Sequence, residues 1–291
     1  MVGPRPEGHT DIARCREALL DLHTRFGAFV NAQGILPRPN SPALLEESDF
    51  VHPESIRTVI SQSNQLIEVV GDHLTAFVKT ISEPLETIAP WTCVRTILES
   101  AAVAAWLLDP SIEARARVGR SLALWYEGME QQLRFSRLKH AGVTRELGER
   151  IREVESEAAS WGFAPLTRRD GKRLGIGQRM PPATELVRAA LDEEGMYRLL
   201  SGVAHAHFWA VNQLGFRPAE GPGIPLTPGY RAVQKSVNVQ GMLALAALVA
   251  GVIGRVAWHQ CSYYGWADDE LRHFLEPLFD ALRVPDHKRP W

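Results

Sequence analysis

The chain has 291 residues, 45% hydrophobic and 23% charged, with a formal net charge of −2. This is ordinary globular usage, enough for one large core or two modest ones. The near-neutral balance excludes a whole-protein field that would draw in nucleic acid or acidic membranes, so any polyanion contact must come from a local patch. Cys15, Cys93 and Cys261 are far apart and form no CxxC pair, which argues against a disulfide framework or a thiolate metal site. The N-terminal residues lack an apolar leader, and a cytoplasmic location is the expectation.

Helical spacing dominates in chain order. Ile12, Leu19, Leu22, Phe26 and Phe29 recur on one face and end at Gly34, predicting a first helix. "PRPNSPALLEESDFVHP" reads as a Pro-rich connector. Pro53 sits at a first-turn position of a long amphipathic helix that runs up to Pro84. "PWTCVRTILESAAVAAWLLDP" predicts a helix buried on most sides, with Arg95 and Glu99 at i,i+4. That spacing predicts a partly buried ion pair, and Glu99 is also placed to orient a group on a facing helix.

A long helix over 111–140 and a charged, exposed one over 144–162 follow. "APLTRRDGKRLGIGQRMPP" then breaks the pattern, with five basic residues and one acid between Arg168 and Arg179. Arg168, Arg169, Lys172 and Arg173 are its candidate phosphate-backbone contacts; a solvated loop is the plainer reading. The "GIG" within it lacks the preceding strand and the GK[ST] of a phosphate loop.

Helical signals resume over 182–195 and 196–210. "GFRPAEGPGIPLTPGY" reads as the strongest loop, and helices are expected from Arg231 to about Tyr264 and from Trp266 to about Leu282. The apolar run Gly241–Gly254 is 14 residues, short of the roughly 20 that span a bilayer, so a buried helix is expected rather than a membrane segment. There is no internal repeat. The fold class is therefore all-α: a helical bundle over 53–283, an N-terminal helix with its connector over 1–52, and a tail over 284–291.

"MYRLLSGVAHAHFWA" holds the most suggestive chemistry. In one continuous helix Arg198 and His205 lie about 700° apart, nearly on one face, with Ser201 and Gly202 between them. Imidazole serves as acid or base near neutrality, and guanidinium stabilises phosphoryl charge. RNA cleavage by its own 2′-hydroxyl needs those two functions and no metal. Three Arg-x4-6-His pairs occur, Arg16/His23, Arg134/His140 and Arg198/His205, which is what random placement gives. The third stands out because Ser201, Gly202, Ala204 and Ala206 leave space beside the imidazole or let another helix approach. On that same helix His207 falls about 200° from His205, so separate jobs are expected, packing or a second pocket for His207. Asp269 and His273 stand at i,i+4, a spacing that suits a metal but also an ordinary acidic helix start.

"RTILESAAVAAWLLDP" followed by "YRLLSGVAHAHFWA" resembles a mostly actinobacterial branch of the HEPN superfamily, over roughly residues 55–265. The resemblance implies a HEPN-like helical bundle that forms homodimers and, in many members, cleaves RNA without a metal or cofactor. Carried over, Arg198 would stabilise the scissile phosphate, while His205 would handle protons or position the phosphate. Active members usually place Asn, Asp or His after the arginine, where Leu199 stands here; other members bind nucleotides, RNA or partner proteins without catalysis. Ser201, Tyr197, His207, Trp209, Arg95 and Glu99 complete the candidate site. The competing expectations are a small-molecule binder or biosynthetic enzyme, with a cavity lined by Trp91, Trp106, Trp125, Trp209, Trp258 and Tyr263, and a plain interaction module.

Overall fold

A computed structural model describes residues 6–138, 141–219 and 233–291. His140, and with it the Arg134/His140 pair, lies outside these residues, as does most of the Gly- and Pro-rich loop. The described chain is all-α. Eleven α-helices follow in the order α1 Pro6–Gln33, α2 Pro42–Asp49, α3 Pro53–Thr80, α4 Ala89–Leu107, α5 Ala114–Arg137, α6 Ala141–Ser160, α7 Ala183–Leu186, α8 Glu194–Ala204, α9 Phe208–Gly215, α10 Val239–Tyr264 and α11 Asp268–Ala281.

The centre of the bundle is α4, whose small and aliphatic residues make it a helix that others can approach from all sides. Ala101, Ala102 and Ala104 leave room for close packing, while Ile97, Leu98 and Leu107 fill the core. Around it stand α3, α10, α8 and α5. Helix α10 is long and apolar enough to cross a membrane by length and composition, but 61% of its most apolar stretch is buried within the fold. Leu245 and Val249 are among its fully enclosed side chains. Asn238 starts this helix, its Oδ1 accepting from the Gly241 N–H at 2.9 Å.

Helix α1 lies inside the same core, since Leu19 and Leu22 are fully buried and the helix packs on α3, α10 and α11. The C-terminal segment also returns to the bundle, where Trp291 stacks on Phe279 with ring centroids 5.3 Å apart.

Outside residues 196–210, three segments differ from their sequence expectation. The Pro-rich connector contains α2, started by Ser41, whose Oγ accepts from Leu44 N–H, with Pro42 in the first turn. The basic glycine-rich segment folds as a small antiparallel sheet, β1 Pro165–Thr167, β2 Arg173–Ile176 and β3 Gln178–Arg179. Its "GIG" makes a tight hairpin, for Gly177 takes φ +68° and a Cβ on Gly175 would strike the Gln178 carbonyl oxygen at 2.2 Å. Finally, the helix expected from Arg231 begins at Val239, and β5 Val233–Lys235 pairs instead with β4 Phe216–Pro218.

Candidate functional site

Helix α8 starts on two acids and buries Tyr197, Leu200 and Val203 against α4. Tyr197 fixes its rotation by donating from its hydroxyl to Glu99 Oε1 at 2.6 Å. The same carboxylate oxygen pairs with Arg95, 2.9 Å away, and the guanidinium lies 5.9 Å from the Tyr197 ring centroid. Burial, and then the Glu99 carboxylate, push the Tyr197 hydroxyl above its ordinary value, so it stays protonated and remains a donor. Arg95, Glu99 and Tyr197 therefore act together as a clasp between α4 and α8.

Residues 196–210 do not form one helix. The chain leaves α8 at His205, Ala206 takes φ +53°, and α9 begins at Phe208. Two backbone bonds close the end in the Schellman pattern: Ala206 N–H donates to Val203 O at 2.9 Å and His207 N–H to Gly202 O at 2.8 Å. The left-handed residue in that pattern is normally glycine, so an alanine there carries backbone strain. Strain of this kind often marks a functional turn.

The reason for the break lies at Gly202. A Cβ there would meet Trp209 Cζ2 at 2.8 Å and Ala210 Cβ at 3.0 Å, so α9 folds back onto bare backbone. The space expected beside the imidazole is thus filled by α9. The break also overturns the opposed faces expected of the two histidines. His205 and His207 are both exposed, with ring centroids 6.0 Å apart.

Arg198 projects from α8 into solvent and is held by Glu194, with Nε at 2.9 Å and Nη2 at 2.7 Å from its carboxylate. Ser201 is half-buried one turn further on. Sequence reasoning missed Phe208, which is 84% exposed beside Trp209 at 56%; adjacent aromatics in an apolar run read as core. Large apolar residues this bare usually mark a contact surface.

The basic segment is on a different element, because the small sheet packs against α5. Arg168 is bound to Asp170, and Arg173 lies 3.2 Å from Glu155, while Arg169, Lys172 and Arg179 are exposed. Asp269 and His273 lie on α11, and no third metal-ligating side chain joins them among the described residues.

The aromatic cavity is also corrected. Trp91 is buried against Gly241, Trp106 lies under Arg120, Trp258 faces Trp291 and Tyr263 lies under Arg117. Trp125 is half-buried and Trp209 exposed. Neither the cleft of about 320 Å3 between α1, α3 and α10 nor that of about 340 Å3 beside α10 and the C-terminal segment is lined by these rings, or by His205 or His207. No protein family, curated protein or solved structure matches the chain.

Proposed function

We propose that the α8–α9 turn binds RNA and cleaves it without a metal, in keeping with the HEPN-like character of the two sequence phrases. The observation that carries the reading is the exposed pair His205 and His207, 6.0 Å apart. Two imidazoles at that separation can contact one phosphodiester. A neutral ring takes the proton from the 2′-hydroxyl while the 2′-oxygen attacks phosphorus. A protonated ring then gives its proton to the departing 5′-oxygen. The products are a 2′,3′-cyclic phosphate and a free 5′-hydroxyl.

Arg198 supplies the charge that stabilises the phosphorane. Its bond to Glu194 is an exposed i,i+4 pair worth about 0.3–0.5 kcal/mol, so a phosphate displaces it readily. Phe208 and Trp209 offer ring faces on which bases stack. Acid and base come from one protomer, so this arrangement does not require a dimer to assemble it.

The test is cleavage of an end-labelled RNA in the presence of EDTA, with the termini identified. His205→Ala and His207→Ala should each lower the rate about 10²–10⁴-fold with the circular dichroism spectrum unchanged. Phe208→Ala should weaken RNA binding by about 1–3 kcal/mol. Cleavage at the wild-type rate in both histidine variants, or wild-type protein that neither cleaves nor retains RNA, overturns the reading.

A further inference from the structure

The cleft of about 340 Å3 beside α10 joins an apolar floor to an excess of positive charge. Ala244, Ala247, Leu248, Gly251 and Val252 recur at helical spacing along one side of α10, and Arg255 ends the stripe. Eleven steps of helical rise make it about 16 Å long, more than an extended chain of a medium fatty acid needs. Residues 284–288 cross α10 at Gly251, where a Cβ would stand 3.4 Å from Val284 Cγ1 and 3.8 Å from Lys288 Cβ. A volume of this size suits a small ligand.

The charged side chains lining the cleft are Arg255, Arg283, Lys288 and Glu193. Lys288 is already matched. Its Nζ lies 3.0 Å from the Glu193 carboxylate and 3.3 Å from that of Asp192, and it donates to the Asp192 carbonyl oxygen at 2.8 Å. That cluster ties the C-terminal segment to the turn before α8 and uses up the acid of the cleft.

Arg255 has no such match. It is half-buried, its Nη1 donates to the Ala190 carbonyl oxygen at a long 3.4 Å, and no carboxylate among the described residues pairs with it. A guanidinium carries five N–H donors in a planar fork that takes a carboxylate through two parallel bonds. Arg283, which is exposed, adds a second positive charge to the lining. A cationic ligand would meet like charge here, and a neutral one would leave Arg255 unanswered. An anionic head with an apolar tail answers both the guanidinium and the stripe.

We infer that this cleft binds a small linear carboxylate, its head on Arg255 and its tail along α10 towards Ala244. Nothing in this inference depends on RNA cleavage.

Three probes share one chain length: octanoate, 1-octanol and octylammonium. With the full chain, octanoate should bind saturably and raise the melting temperature. A cleft that only shelters hydrocarbon would prefer the octanol, which is the more apolar. Here octanoate should bind about tenfold more tightly than octanol, the value of one charge-assisted hydrogen bond, and octylammonium more weakly than either. Arg255→Gln should lower the octanoate affinity about tenfold and leave that of octanol unchanged. Ala247→Phe should fill the floor and abolish binding of both. Lack of saturable octanoate binding up to millimolar concentration overturns the inference, as does octanol binding as tightly as octanoate. Octanoate affinity that survives Arg255→Gln overturns the assignment of the head, and affinity that survives Ala247→Phe overturns the assignment to this cleft. If Ala247→Phe does not fold, the wild-type comparison and Arg255→Gln decide.

Discussion

The indole of Trp209 rests on the bare backbone of Gly202, where a Cβ would stand 2.8 Å from its Cζ2. That contact turns α9 back on α8 and so presents His205 and His207 side by side. Gly202→Ala keeps a helix-favouring residue in α8, yet it must push Trp209 and the buried Ala210 outward. The overpacking should cost about 1–3 kcal/mol in urea unfolding. It should also impair RNA cleavage by more than any loss of folded protein, because the turn that pairs the histidines moves. A variant as stable as wild type would show that α9 docks without this contact.

Ala206 gives the complementary test. Its φ of +53° is a conformation that costs an L-residue about 1–2 kcal/mol and glycine almost nothing. Glycine also loses more freedom on folding, so Ala206→Gly should stabilise the protein by about 0.5–1 kcal/mol. An unchanged or lower urea midpoint would mean that the turn is not strained. Should stability rise while cleavage falls, the strain serves the site.

These two residues also show where the sequence stops being readable. Helices α3, α4 and α10 follow from apolar spacing, Pro53 and the Asp109–Pro110 stop, because those signals are local. The end of α8 has no local signal. No glycine or proline follows the last helical residue, and the break is imposed by packing at Gly202. Helix α2 had a visible cap in Ser41 and Pro42, but it is short and lies among prolines that suggest a connector. The arginine and histidine of the candidate site were legible as residue types. The pairing of His205 with His207 was not, because it exists only after the helix breaks.

Arg117 is another long-range feature without a sequence signature. It is 1% exposed and reaches Glu46 of α2 with Nε at 3.0 Å. Its terminal nitrogens also donate to the carbonyls of Leu107, the last residue of α4, and of Asp109 and Ile112 just beyond it. The guanidinium lies 4.1 Å from the Tyr263 ring centroid, and the Tyr263 hydroxyl donates to the same Glu46 at 2.8 Å. Arg117→Ala strands a carboxylate and three carbonyls and should cost about 3–5 kcal/mol. Arg117→Lys should recover less than half of that loss, because an ammonium cannot reproduce the planar fork. Adding Glu46→Leu to Arg117→Met should be milder than the sum of the single changes, since both charges leave together. Additive losses in a denaturation cycle would show that the two residues act separately.

His259 sets a pH dependence that stability measurements can isolate. Its Nδ1 lies 3.0 Å from the Ala105 carbonyl oxygen, which can only accept, so the neutral ring carries its proton on Nδ1. Burial pushes the imidazole below its ordinary value. The Ala105 bond and Asp109 oppose that shift, while Arg255 and Arg117 add to it. The folded state thus binds a proton less readily than the unfolded chain. Stability from this residue is complete above the unfolded value of about 6.5 and declines as acidification protonates the unfolded chain first. His259→Gln keeps an N–H donor for Ala105 but cannot take up a proton. Between about pH 7.5 and pH 5 the wild-type urea midpoint should therefore fall further than that of His259→Gln. Parallel falls in the two proteins would place the acid sensitivity elsewhere, since the variant retains every other titrating group.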